Sequence, residues 1–379
     1  MTNTRRMQMA TAGNLPSNAG LYTWGHGANG GLGLGDVDVH RSEPTQLGTL
    51  TDWTVQMGGS SNGGCTAIKS DGTLWTWGDN PYGQLGLGDT TDRSSPVQVG
   101  ALTTWAKTSN HGATAHAIKT DGTLWGMGVN SWNGNIGDNT TTNRSSPVQV
   151  GSATNWSVIA STASDAKMAV QSNGTLWSWG WNYRGSLGRG LGLGSVSVSS
   201  PAQVGSLTNW STGPNKLSGS LHFGAVKTDG TLWTWGDNTY GQLGLGDTTN
   251  IDSPVQVGSL TNWDTISTGG GDFFAARKTD GTIWTWGRNQ YGYLGHGNTT
   301  SLSSPVQVGS LTSWAEIDAA WGVCYARKTD GTLWAWGANT QGNVGDGTTT
   351  VRSSPVQVGE LTSWTSISVH GFACRAISS

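Results

Sequence analysis

The sequence predicts an all-β protein: a single seven-bladed β-propeller with four antiparallel strands per blade and a last blade built from N- and C-terminal strands. Three observations carry this. One unit recurs seven times, each copy reads as four short strands, and the chain stops halfway through a unit that its beginning completes.

The repeat is clearest in its apolar core. "LYTWG" at 21–25 returns as "LWTWG" at 74–78, "LWGMG" at 124–128, "LWSWG" at 176–180, "LWTWG" at 232–236, "IWTWG" at 283–287 and "LWAWG" at 333–337. The spacings are 53, 50, 52, 56, 51 and 50 residues. Around the copies recur "KTDGT", "SSPVQVG" and "LTxW". The first strand of a unit begins at the tryptophan of "LTxW", as from Trp263 to Ile266, and the second ends as Ala67 to Lys69 does. Asp71-Gly72, flanked by alternating hydrophobic residues, then signals a tight hairpin into "TLWTWG". The fourth strand, "PVQVG", opens on Pro96, which suits an edge where no N–H is needed. No stretch carries helical periodicity.

The ends fit together. "HGFACRAISS" at 370–379 matches "SNGGCTAIKS" at 61–70 and stops before the expected turn, while "GLYTWG" and "EPTQLG" near the N-terminus supply the two missing strands. The closing blade therefore takes its first two strands from 364–379 and its last two from roughly 20–48, which leaves no orphan sheet edge. Residues 20–379 read as one domain. Residues 1–19, with Pro16 and Asn18, read as a flexible tail able to tether the disc, and they lack the continuous apolar run of a secretory signal.

Composition narrows the function. Only 11% of residues are charged and the formal net charge is −3, so no basic field attracts nucleic acid or an anionic membrane. No apolar run is long enough for a spanning helix. Cys65, Cys324 and Cys374 share one register in three blades that adjoin once the ring closes, a position that elsewhere holds Ala115, Phe223 and Phe274. Adjacent-blade positions lie too far apart for a disulfide, so three free, inert thiols in apolar core are expected. Asp71, Asp121, Asp229, Asp280 and Asp330 recur as turn residues rather than general bases. Lys69, Lys119, Lys227, Lys278 and Lys328 recur in register too and read as a solvated rim, with anion binding as the alternative. No motif for metal, nucleophilic catalysis or a cofactor is found, so the protein reads as a non-enzyme with no cofactor.

These blades resemble the regulator of chromosome condensation repeat, whose pattern stands here as "AIKSDGTLWTWGDNPYGQLGLGDTTDRSSPVQV" at 67–99. The resemblance covers the chain after about residue 20 and implies the seven-bladed propeller. It also implies a choice of roles: a nucleotide-exchange factor for a small GTPase, a ubiquitin-ligase accessory domain, or a secreted enzyme inhibitor. Regular Thr/Ser/Asn-rich copies resemble bacterial surface and phage structural members most. The even spacing leaves no room for the inserted β-wedge of the exchange-factor branch, and the tail carries only Arg5 and Arg6.

Residues that recur in every blade are read as scaffold, and departures from the register as candidates for binding. Of 22 tryptophans, twelve lie in the "LWTWG" strands and seven in "LTxW". Trp132, Trp181 and Trp321 remain, all in connections between first and second or third and fourth strands, which share one face of the disc. His111, His222, His370, Asp272, Phe273, Tyr183 and Arg184 fall on the same face. Aromatic and arginine anchors on variable loops are what protein-binding surfaces use. The expected function is a non-enzymatic interaction or structural module, a phage virion or bacterial surface component that contacts protein or glycan through these loops; a soluble inhibitor or regulator is the alternative. "GQLGLGD" at 83–89 resembles a phosphate cradle, but a loop and a strand follow it where a cradle needs a helix N-terminus. Its glycines read as turn chemistry.

Overall fold

The computed structural model describes residues 20–378 apart from 60–63, 112, 161–164, 271 and 371–372, and apart from the side chains of 55–58, 111, 370 and 373. Seven four-stranded antiparallel sheets form the seven blades. We number them from the first continuous one: 53–98, 105–149, 156–203, 210–256, 263–307 and 314–357, with the seventh made of 364–378 and 20–46. In the seventh, Gly20–Gly25 pairs with 373–378 from Gly20 opposite Ser378 to Gly25 opposite Ala373, which closes the ring without a covalent bond. The tail at 1–19 lies outside the described residues.

The third strand of each blade decides the packing. Side chains two apart on a strand share a face, so Trp75 and Trp77 point the same way, and the second goes deepest. Trp24, Trp77, Trp179, Trp235, Trp286 and Trp336 are fully buried, while Trp75, Trp125, Trp177, Trp233, Trp284 and Trp334 stay partly exposed. Each buried indole removes ~200 Å² from water, about 5 kcal/mol gross. Five of them also reach across the seam to the blade before. Trp77 donates its Nε1–H to the Gly31 carbonyl (3.2 Å), and Trp179, Trp235, Trp286 and Trp336 do the same to Asn135, Ser186, Gln242 and Tyr293 (2.8–3.1 Å). The second blade has Met127 in this position, and Gly86 lies against its sulfur.

The glycines of "GQLGLGD" are the other half of that seam. Gly244 has φ +71°, and a Cβ there would stand 2.8 Å from Nε1 of Trp286 in the next blade. Gly241, at φ +76°, would place a Cβ 2.5 Å from Cα of Ser303. The motif is thus a turn that also lets two blades meet. In six of the seven blades a buried asparagine ties this loop from within: Asn238 accepts from the Leu243 N–H (2.9 Å) and donates to the Asp247 carbonyl (3.1 Å), and only the seventh has Gly27 there.

At the opposite face the structure corrects the reading of the lysines. They are not a solvated rim. Lys278 is only 4% exposed, and its ammonium lies 3.6 Å from the Trp284 ring centre and 4.8 Å from that of Trp263. Lys69, Lys119, Lys227 and Lys328 each sit over two indoles in the same way. The register explains it, because Trp263 is paired directly with Lys278 across the first two strands. The outer indole is itself fixed by the turn: Trp284 donates to the Thr282 hydroxyl (2.9 Å), which donates to Asp280 (2.6 Å). The recurrent Asp-Gly-Thr therefore positions one wall of a cation–π cage. All three cysteines are buried and none is in a disulfide, as expected, but Cys65 is not in wholly apolar surroundings, since its thiol meets the Gly31 carbonyl (3.3 Å) and the Arg375 guanidinium.

Two outcomes follow from the seams. Gly244→Ala should cost about 1 kcal/mol for its backbone angle plus about 1–3 kcal/mol for the clash. Gly258→Ala, at φ +58° with nothing within 4 Å, should cost the backbone term alone. Equal losses in denaturant titrations would show that the seam is not tight. Deleting 364–379 strips the closing blade of its first two strands and should abolish the single cooperative thermal transition; an unchanged melting curve would refute non-covalent closure.

Candidate functional site

The face that gathers the first–second and third–fourth connections carries the site. Its outer ring is aromatic. Trp132 is 55% exposed and meets Tyr82 of the neighbouring loop edge to face, with ring centres 5.4 Å apart. Tyr240 and Tyr291 are exposed at the same loop position as Tyr82 in their own blades. Departure from the register singles out Trp132 and leaves out these tyrosines, which stand in register in three blades. The signal that could have found them is their place: an aromatic one residue before the glycine that packs on the next blade can only stand outward.

The third blade departs from this pattern. Trp181 stacks on Tyr183 at 4.7 Å, and the Arg184 guanidinium lies 5.1 Å from the Tyr183 ring. Arg184 also crosses to the fourth blade, where it pairs with Asp237 (2.7 Å) and donates to the Thr239 hydroxyl (2.5 Å). Hydrogen bonds from Thr239 and Arg184 hold the Asp237 carboxyl below its usual range against the opposing effect of burial. Asp272, at φ +64°, pairs with Arg288 at 3.4 Å.

Two of the expected surface residues are not on the surface. Phe273 is fully buried and stacks on Tyr293 (5.4 Å). His222 is fully buried as well, with Nε2 3.3 Å from the Phe273 carbonyl of the next blade, and burial lowers its pKa. Both face inward because they sit at the start of second strands, where the sheet has already entered the core. The side chains of His111 and His370 lie outside the described residues.

The first strands enclose a central cavity of about 630 Å³, lined among others by Lys107, Ser218, Ser267, Glu316, Asp318 and Trp321. Trp321 stands at its loop-face end at φ +30°, with its indole against Gly270, where a Cβ would lie 2.9 Å from Nε1. Asp318 is a clasp across three blades. It accepts from Ser267 of the fifth blade (2.7 Å), from its own neighbour Ala319 N–H (2.9 Å) and from Val369 N–H of the seventh (2.7 Å). Burial pushes its carboxyl up to about 6, and pushes Glu316, beside Arg327, to about 7.

The Asp318 clasp has a pH signature. Its folded pKa lies above the unfolded value, so the folded state holds a proton that the unfolded chain loses above pH ~4. Its contribution to stability should therefore weaken as pH rises from about 4 to about 6. Asp318→Asn should flatten that part of the melting-temperature profile; matching profiles for the two proteins would rule the effect out.

Comparison with known proteins agrees with this architecture. The family model described as RCC1-like domain matches residues 20–375. The chain is 30% identical over 302 residues to the human E3 ubiquitin-protein ligase HERC2, covering 77% of this chain but only 6% of that protein. It is 29% identical over 300 residues to the ultraviolet-B receptor UVR8 of Arabidopsis thaliana, covering 76% of this chain and 65% of the receptor. The chain thus spans less than two thirds of either relative. Yeast RCC1 (Prp20), solved with Kap60 bound, superposes with a TM-score of 0.81 at 17% identity over 95% of this chain and 88% of that one, which is likeness of fold.

Proposed function

This chain belongs to the RCC1-like domain family, and on that footing we propose that it is a non-catalytic docking module that engages a protein partner through the aromatic rim of its loop face. The observation that carries the reading is the Tyr82–Trp132 pair. Two large aromatic side chains are held against each other in the open, on loops whose bases are locked by a buried asparagine, Asn80 below Tyr82 and Asn130 below Trp132. Rigid aromatic anchors of this kind carry most of the energy of protein interfaces, and tyrosine, tryptophan and arginine dominate such hot spots. The solved complex of yeast RCC1 with Kap60 supports it, since a protein of the same fold there has another protein bound.

The setting we propose is a virion or cell-surface assembly, in which many copies present the same disc. The low content of charged residues, 11%, and the near-identical Thr/Ser-rich blades support it. The test joins both parts. Replacing Trp132 and Tyr82 together by serine should leave the melting temperature unchanged and cut recovery of the co-purifying native partner at least about tenfold. Equal recovery would overturn the docking reading. Native protein that is monomeric and partner-free would overturn the assembly.

A further inference from the structure

The repeats provide an internal control for what one of these loops accepts. Residues 79–89, "DNPYGQLGLGD", and 237–247, "DNTYGQLGLGD", differ at one of eleven positions. In the fourth blade this loop is filled by arginines of the same chain. Arg184, from the blade before, pairs with Asp237 at 2.7 Å, and Arg288, from the blade after, lies 4.8 Å from the Tyr240 ring centre. One loop thus receives one guanidinium on its carboxylate and a second on its aromatic face.

The first blade has the same receptor without the arginines. The position of Arg184 is taken by Asn29, with the same left-handed backbone (φ +52° against +53°), and its amide reaches Asp79 at 3.0 Å. The position of Arg288 is taken by Val129, which is buried. The remaining differences also leave negative charge uncovered. Asp92 stands where the fourth blade has Asn250, each accepting from the loop asparagine N–H (2.7 and 2.8 Å). Pro81 replaces Thr239 and removes a hydroxyl from the carboxylate. Arg93, the guanidinium next in sequence to Asp92, is turned to Asp89 at 2.6 Å. Burial and the Asp92 charge push the Asp79 carboxyl up to about 6, opposite in direction to Asp237.

We propose that the loop of the first blade is a receptor for an arginine side chain of the protein partner, with Asp79 taking the guanidinium and Tyr82 with Trp132 forming the aromatic platform beside it. The site is built as one piece, because Gln84 donates to Asp79 (3.3 Å) and accepts from the Tyr82 N–H (3.1 Å). A planar guanidinium matches both halves, a carboxylate and a ring face, better than the compact ammonium of lysine does. This rests on the docking reading and gives its partner a chemistry.

The test is binding of a short fluorescent peptide with a single arginine flanked by glycine and serine, against the same peptide with citrulline, which keeps the shape and removes the charge. The arginine peptide should bind at least about tenfold tighter. Asp79→Asn should remove that preference. Asn29→Arg, which supplies from within what the fourth blade already has, should block the peptide at least tenfold without lowering the melting temperature. Arg184→Asn should open a second site on Asp237. Equal binding of the two peptides, no binding of either, or indifference to Asn29→Arg overturns the proposal. Should Trp132→Ser with Tyr82→Ser lose the native partner while Asn29→Arg keeps it, the docking face stands and the arginine receptor falls.

Discussion

Five of the seven blades are joined to the one before by an indole that needs two things at once: an apolar slot and a carbonyl at its rim. The loop of the preceding blade supplies both, the slot by having no Cβ at the glycine and the carbonyl at Gly31, Asn135, Ser186, Gln242 or Tyr293. Third-strand tryptophan and loop glycine are therefore one device split between two repeats, and neither can vary alone. Where the tryptophan becomes Met127, the hydrogen bond is lost, but a new one appears nearby. Gly126 replaces the usual threonine, and His116 moves over it to put Nε2 3.1 Å from the Ile136 carbonyl. Burial and the Lys167 charge lower that imidazole to about 3, against the opposing effect of its hydrogen bond, so it stays neutral.

The two faces of the disc solve different problems with the same residue types. On one, lysines are sealed under paired indoles and the Asp-Gly-Thr turn orients the outer ring. On the other, aspartates, arginines and aromatic residues are left where a partner can reach them. Charge that is matched within the chain becomes scaffold, as at Asp346 with Arg352 (2.7 Å) and Asp138 with Arg144 (2.8 Å). Charge that is unmatched in one repeat and matched in its near-copy marks a place for something else.

Nearly all of the fold was legible in the sequence, because period, turn chemistry and alternation are local and repeat seven times. The composite seventh blade followed from matching 370–379 to 61–70. The site was less legible, for a physical reason. Recurrence separates scaffold from exception only when scaffold is buried, and Tyr82, Tyr240 and Tyr291 recur while facing solvent. Conversely, His222 and Phe273 stand in variable segments expected on the loop face, but each is the first residue of a second strand and is fully buried. The lysine cages were hidden by register: nothing local indicates that Lys278 pairs across a strand with Trp263. The central cavity, lined among the described residues by first strands of six blades, is a property of the closed ring and of no single repeat.

The seventh blade has a kinetic consequence. Six blades are contiguous, so each forms from residues within about fifty of one another and can nucleate on its neighbour. The last must bring Gly20–Gly25 to 373–378, partners some 350 residues apart along the chain. During synthesis the N-terminal pair of strands is made first and finds its partners last. Until then both its unpaired flank and that of the sixth blade are open to other chains. The ring is complete only when this last pairing forms, and the hazard it must outrun is a neighbouring molecule offering the same 364–378 strands first.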